Sequence, residues 1–99
     1  MNTLLQSPEF ASWLAGLKDL SGRARIADRI VRAEAGNFGD CSSVGEGVSE
    51  MRVHYGPGYR IYFTRRGEVV YLLLIGGDKS TQSQDIARAK AMLSMIPKE

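Results

Sequence analysis

The sequence predicts a single α+β domain over residues 1–99, in which a small twisted antiparallel sheet carries two N-terminal helices on one face and a C-terminal helix near its end. Two observations predict this class. Apolar residues recur with helical period before residue 35 and again after residue 81. Between these segments, three β-type stretches follow one another across tight turns, which favours antiparallel pairing.

The first helix is predicted to begin at Ser7-Pro8-Glu9, where a serine cap precedes a proline and an acid in the first turn. Its apolar stripe has spacing i, i+3, i+4, i+7 and consists of Phe10, Trp13, Leu14 and Leu17. A second helix is predicted to run to about Ala35, with Ile26, Ile30 and Ala33 inward and its arginines outward. The short segment 3–6 is a candidate edge strand.

The sheet is predicted from residue 41 onward. A short strand is expected near 41–44, and longer strands at about 48–55, 59–64 and 68–75. The last of these has apolar residues at both odd and even positions, as expected for a strand that is covered on both faces of the sheet. Thr81 and Gln84 have the spacing of a capping box before a final helix with Ile86, Ala89, Leu93 and Ile96 inward.

Composition excludes several function classes. A hydrophobic content of 43% and a net charge of +2 are ordinary for a globular protein. The single cysteine, Cys41, rules out an internal disulfide and a multi-thiol metal site, so neither a metal nor another cofactor is expected. No signal peptide or membrane-spanning stretch is apparent, because the longest apolar run covers only residues 69–75. We therefore expect a cytoplasmic protein with no membrane partner.

Basic residues are unevenly distributed, which predicts an anionic partner. Residues 51–67 contain four arginines and one histidine but no acid. Strand alternation places Arg52, His54, Arg60 and Tyr62 on the sheet face opposite the core, and Lys79 follows the last strand beside a helix N-terminus.

These residue types suit metal-independent RNA cleavage by attack of the 2′-hydroxyl on the neighbouring phosphorus. Arg60, Arg52 and Lys79 could hold the phosphorane, and His54 is a candidate proton acceptor. Tyr62 or Tyr55 could stack a base, and Arg65 and Arg66 could contact the RNA backbone. An alternative interpretation is that the arginines form only a solvated face and pair with Glu46, Glu50 or Glu68.

Five segments together resemble the RelE/ParE superfamily of bacterial toxin–antitoxin toxins, in particular its HigB-like addiction module killer branch. They are F-x-x-W-L-x-x-L at 10–17, G-N-F-G-D at 36–40, G-V-S-E-M-R-V at 47–53, G-P-G-Y-R-I-Y-F at 56–63 and G-G-D-K-S-T-Q at 76–82. They span nearly the whole chain in the family's order. The combination is specific, although each segment alone is weak.

The resemblance implies a RelE-like fold and a ribosome-dependent mRNA endoribonuclease that stops translation and causes growth arrest. It also implies a cognate antitoxin, often a helix-turn-helix protein, which neutralises the toxin. Arg60 matches the family's phosphate-binding arginine by position. Arg52 stands near a strand position that is often basic, and Lys79 stands where a C-terminal cation is common.

Two departures keep a second mechanism open. Glu50 stands where the better-known ribonucleases of the family carry a basic residue. Their tyrosine near the start of the last helix has no clear equivalent, since Asp85 or Ile86 falls there. The alternative is a ParE-like toxin that poisons DNA gyrase and needs no catalytic groups.

Overall fold

A computed structural model describes residues 1–97, which form one α+β unit with a five-stranded sheet and three α-helices. The strands are β1 (Thr3–Gln6), β2 (Cys41–Gly45), β3 (Val48–Val53), β4 (Tyr59–Arg65) and β5 (Val70–Asp78), and the helices are α1 (Pro8–Gly16), α2 (Leu20–Glu34) and α3 (Gln82–Ser94). A short 3-10 turn, Lys79–Thr81, joins β5 to α3. The predicted order of elements, including the candidate edge strand, is confirmed.

The sheet is mixed, so the prediction of a purely antiparallel sheet was wrong at one edge. Its strand order is β1-β5-β4-β3-β2. Strand β1 pairs parallel with the first half of β5, whereas all other neighbours are antiparallel. Four residues are too few for side-chain alternation to reveal a direction. The connection through α1 and α2 returns the chain to the far side of the sheet, and only the folded structure shows that β1 lies beside β5.

Both faces of the sheet are covered. Helices α1 and α2 pack on one face around Phe10, Ile26, Ile61 and Leu73, all fully buried. Helix α3 packs on the opposite face, where its partners include Tyr62. The expectation that α3 lies near the end of the sheet was therefore wrong. The physical reason is that β5 is apolar on both parities, so its second face also needs a cover.

The predicted start of α1 is confirmed, and it is tied to the sheet. The Ser7 hydroxyl oxygen accepts a hydrogen bond from the Phe10 amide at 2.9 Å and donates one to the Leu74 carbonyl at 2.7 Å. The predicted capping box of α3 does not form. The Thr81 hydroxyl instead donates to the Asp85 carboxylate at 2.6 Å, and its side chain makes no cap hydrogen bond.

The end of β5 passes between two helices because it lacks side chains. A Cβ atom on Gly76 would lie 2.2 Å from the Trp13 ring of α1. On the other face, a Cβ atom on Gly77 would lie 1.9 Å from the Asp85 carboxylate of α3. The Gly76-Gly77 pair thus lets both helices approach the strand, and the strand then delivers Lys79 to the end of the sheet.

Within residues 1–97, no helix is both long enough and apolar enough to cross a lipid bilayer.

Candidate functional site

The predicted site residues meet at the end of the sheet that carries the Gly56-Pro57-Gly58 turn. Arg52 on β3 and Arg60 on β4 are direct cross-strand partners, and Gly77 of β5 is the next partner in the same row. His54 follows β3 and Lys79 follows β5, so both lie just beyond this row. We call Arg52, His54, Arg60 and Lys79 the cationic end. The expectation that Arg52 and Arg60 share a face is confirmed.

Strand alternation predicts that the two arginines lie on a sheet face opposite the core. In the structure, that face is not open to solvent. Helix α3 covers it in part, and only 25% of the Arg52 side chain and 13% of the Arg60 side chain are exposed. Like charges directly opposite each other on a sheet are destabilising unless an anion lies between them. That anion is Glu50, which is 2% exposed.

Glu50 is the centre of a polar cluster beneath the N-terminus of α3. One of its carboxylate oxygens accepts hydrogen bonds from the Tyr62 hydroxyl and the Gln82 amide, each at 2.9 Å. The other accepts from Arg52 at 2.8 Å. Burial alone raises the pKa of Glu50, but the hydrogen bonds from Gln82, Tyr62 and Arg52 outweigh burial and hold that pKa below its ordinary value. Glu50 is therefore ionised at neutral pH.

Arg60 is attracted to Glu50 without being saturated by it. Its Nε atom lies 3.4 Å from the Glu50 carboxylate, and one terminal nitrogen donates to the Gly58 carbonyl at 3.0 Å. The Nε atom is buried and makes no hydrogen bond within the described part of the chain. The buried Nε atom faces Glu50 and cannot reach a ligand, but the second terminal nitrogen makes no hydrogen bond within residues 1–97 and keeps donor capacity for another anion.

Arg52, in contrast, uses four of its five N–H donors within the protein. Its guanidinium donates to both oxygens of Asp40, at 2.9 and 3.1 Å, and also to the Ser42 hydroxyl and to Glu50. The hydrogen bonds that Arg52 donates to Asp40, followed by the one it donates to Glu50, raise the pKa of Arg52 above its ordinary value. The alternative interpretation that the arginines pair with acids thus holds for Arg52, with Glu50 as one partner and Asp40 as an unforeseen one.

His54 lies at the margin of the cationic end, with 73% of its side chain exposed. Its Nε2 atom is 2.6 Å from an Asp40 carboxylate oxygen. Hydrogen bonds from Arg52, and then from His54, hold the pKa of Asp40 well below its ordinary value. Asp40 therefore connects the histidine to the arginine cluster.

Lys79 is exposed on the other side of Arg60. A Cβ atom on Gly58 would lie 3.4 Å from an Arg60 terminal nitrogen and 3.6 Å from Lys79 Cβ, which makes these two side chains close neighbours. The Lys79 ammonium group makes no ion pair with any acid among residues 1–97. His54 and Lys79 leave β3 and β5, whose backbones are two strand spacings or roughly 10 Å apart, with Arg60 between them.

None of the three residues expected to bind RNA adds an exposed group to the cationic end. Tyr62 shares the face but is fully buried, so its ring has no surface open to a base in this conformation. Arg65 lies five residues further along β4 than Arg60, roughly 16 Å away at the rise of a strand, and it donates to the Gly67 and Glu68 carbonyls. Arg66 donates to the Pro97 carbonyl. Arg65 and Arg66 therefore lie at the opposite end of β4 from Arg60.

Sequence reasoning missed Asp40 and Gln82 as members of the site. Both are distant in sequence from the residues they contact: Asp40 precedes β2, and Gln82 begins α3. One signal was available for Asp40, which ends the G-N-F-G-D segment just before the short strand expected near 41–44. No cluster of three or more His, Cys, Asp or Glu side chains that could hold a metal ion occurs within residues 1–97.

Comparison with known proteins gives a relative without a described activity. A protein of Haemophilus influenzae described as uncharacterized is 49% identical to this chain over 83 residues, which are 84% of each protein. This chain belongs to the same family as that protein. No protein-family model matches the chain.

Proposed function

We propose that this protein is the toxin of a type II toxin–antitoxin pair, a HigB-like member of the RelE/ParE superfamily with a RelE-like fold, and that it cleaves mRNA on the ribosome. The observation that carries the proposal is Arg60: a largely buried guanidinium with an unused terminal nitrogen, next to the exposed residue Lys79, whose Cβ atom lies at the same turn. A guanidinium and an ammonium on neighbouring residues suit a phosphate group. The five segments that resemble the superfamily supply the choice of RNA as the substrate.

The chemistry needs no metal. The RNA 2′-hydroxyl gives its proton to His54, and its oxygen forms a bond to the adjacent phosphorus. Arg60 and Lys79 stabilise the negative charge of the phosphorane. The bond from phosphorus to the 5′ oxygen then breaks, and that oxygen takes a proton from the Lys79 ammonium. The products are a 2′,3′-cyclic phosphate and a 5′-hydroxyl end, and solvent restores both protonation states.

The flanking positions of His54 and Lys79 favour this assignment. In-line displacement requires the proton acceptor and the proton donor on opposite sides of the phosphorus. The two side chains leave β3 and β5 on either side of Arg60. A phosphate bound to Arg60 would therefore lie between them.

The partners of the proposed toxin are a cognate antitoxin, which we expect to be a helix-turn-helix protein, and the ribosome with its mRNA. The cytoplasm is the compartment in which these partners meet.

Arg60→Ala tests the proposed function. The protein is expressed in growing cells, and new message 5′ ends are mapped on ribosomes. We expect the wild type to arrest growth and cut messages, and Arg60→Ala to do neither while remaining folded. Arg88→Ala is the matched control, because Arg88 is an exposed arginine on α3 outside the cationic end. Undiminished cleavage by Arg60→Ala would contradict the site, and intact messages with the wild type would contradict the nuclease.

A second candidate function is a ParE-like toxin that acts on DNA gyrase without catalysis. The observation that favours it is the internal neutralisation of the cationic end. Arg52 is paired with both Asp40 and Glu50, and Glu50 also attracts Arg60. Gyrase–DNA adducts are assayed in the same cells. Adducts together with intact messages would select this function over RNA cleavage.

A further inference from the structure

We propose that Asp40 is a positioning residue, which holds His54 as the Nε2–H tautomer so that the ring Nδ1 atom accepts the 2′-hydroxyl proton. This inference rests on the proposed ribonuclease function. It assigns a role to a residue outside the set predicted from sequence, and it names the reacting nitrogen of the histidine.

Asp40 is itself held in place by one partner. The Arg52 backbone amide donates to the Asp40 carbonyl at 2.9 Å. The Arg52 guanidinium donates to both carboxylate oxygens, from Nε at 3.1 Å and from a terminal nitrogen at 2.9 Å. A carboxylate held through both oxygens by a planar guanidinium has little freedom to rotate. The oxygen that faces His54 therefore has a fixed position.

Arg52 is in turn anchored to the core. One of its terminal nitrogens donates to the buried carboxylate of Glu50 at 2.8 Å. The cluster thus runs from Glu50 through Arg52 and Asp40 to His54, from the interior of the sheet to an exposed ring. In this arrangement Arg52 fixes the orientation of the Asp40 carboxylate. Arg60 is then the arginine that is available to bind the phosphate.

The state of Asp40 decides the tautomer of His54. The pKa of Asp40 is held well below its ordinary value by hydrogen bonds from Arg52 and His54, so the carboxylate is ionised at neutral pH and can only accept. The His54 Nε2 atom, 2.6 Å away, must then carry the hydrogen. In the neutral ring the Nδ1 atom keeps its lone pair. The His54 side chain is 73% exposed, so a substrate can approach the ring.

Among residues 1–97, the charged groups near the His54 imidazole other than Asp40 make no hydrogen bond to it. A cavity of about 170 Å³ separates the ring from the outer face of α2. The charged groups that face His54 are Asp40 and Arg52 from the strand side and Arg25, Asp28, Arg29 and Arg32 from α2. Asp28 is engaged with Arg32 at 2.7 Å. It therefore provides a carboxylate near the same histidine without a hydrogen bond to it.

The test compares Asp40→Asn with Asp28→Asn in the full chain. Each variant removes one negative charge near His54, but only Asp40→Asn changes the group that accepts from Nε2. Two readouts are used: the ring ¹⁵N chemical shifts, which report the tautomer, and the pH profile of message cleavage on ribosomes. His54 is the one histidine in the sequence, so its ring signals need no assignment.

We expect the wild type and Asp28→Asn to show the Nε2–H tautomer and similar cleavage. We expect Asp40→Asn to show a mixture of tautomers, a displaced acidic limb of the pH profile, and a loss of rate on the order of tenfold to a hundredfold, as for a misoriented general base. An Asp40→Asn variant with the wild-type tautomer, or with the wild-type rate and profile, would overturn the inference. If the wild-type protein cuts no message, the proposed ribonuclease function is overturned, and the inference about Asp40 is overturned together with it.

Discussion

The Tyr62 hydroxyl donates to the buried Glu50 carboxylate at 2.9 Å, and the two residues are direct cross-strand partners on β4 and β3. Burial, and then the hydrogen bond to Glu50, raise the pKa of Tyr62 above its ordinary value, so the hydroxyl remains a donor throughout the neutral range. This pair converts a face that alternation marks as polar into part of the packed interior under α3. Arg52 and Arg60 both lie within ion-pair distance of the Glu50 carboxylate.

Tyr62→Phe removes this donor while it keeps the ring in the core. We expect a loss of about 1–2 kcal/mol in the free energy of unfolding, because a hydrogen bond to a buried charged group is lost. Urea denaturation measures the effect. Tyr71→Phe is the control, since Tyr71 is a half-buried β5 tyrosine for which no side-chain hydrogen bond is found among residues 1–97. An equal loss in both variants would contradict the role of the hydroxyl.

Glu50→Gln tests the anion between the two arginines. At pH 7 we expect a loss of about 3 kcal/mol in unfolding free energy, since breaking a buried ion pair leaves uncompensated charge. The folded-state pKa of Glu50 lies below its ordinary value of 4.5, so its stabilising contribution is complete above that pH and declines as the pH falls through the folded-state pKa. The difference in unfolding free energy between the wild type and Glu50→Gln should therefore become smaller at acidic pH.

The control for this prediction is Glu46→Gln, because Glu46 is exposed and pairs with Lys90 near the opposite end of β3 from Arg52. We expect that change to have a small effect on stability at pH 7. A Glu50→Gln deficit that stays constant from pH 7 to pH 3 would contradict the assigned ionisation.

Gly76→Ala and Gly77→Ala should both destabilise the protein, and by different amounts. At Gly76 the added methyl group meets the rigid Trp13 ring, for which overpacking costs about 1–3 kcal/mol. At Gly77 it meets the movable end of the Asp85 side chain, so we expect a smaller loss. Thermal unfolding measures both. The double variant Gly77→Ala, Asp85→Ala should recover part of the loss, and the absence of recovery would contradict the steric explanation.

Ser7→Ala should lower the free energy of unfolding by about 1–2 kcal/mol, because it removes the cap of α1 and leaves the buried Leu74 carbonyl without its donor. Ser7→Thr keeps the hydroxyl and should retain more of the stability. Denaturant titration distinguishes the two variants. Equal stability of Ser7→Ala and wild type would show that the link between α1 and β5 contributes nothing.

Much of the fold was predictable because its signals are local. The proline after Ser7 and the stripe from Phe10 to Leu17 specify α1 within a few residues of sequence. The alternation on either side of the Gly56-Pro57-Gly58 turn specifies β3 and β4 and the face that Arg52 and Arg60 share. Arg60 and Lys79 could be proposed as members of one site because Arg60 is near the start of β4 and Lys79 follows the neighbouring strand β5, at the same end of the sheet.

The sequence by itself determined the order of the elements, the inward stripes of the helices and the parity of the strands, because each depends on residues only a few positions apart. Only the tertiary structure decided that β1 lies parallel to β5, that α3 covers the arginine face, and that Asp40 rather than solvent meets Arg52 and His54. These outcomes depend on contacts between segments that are far apart in the chain. Spacing along the chain does not encode which distant carboxylate reaches which arginine, because packing of the helices on the two faces of the sheet selects the pairs.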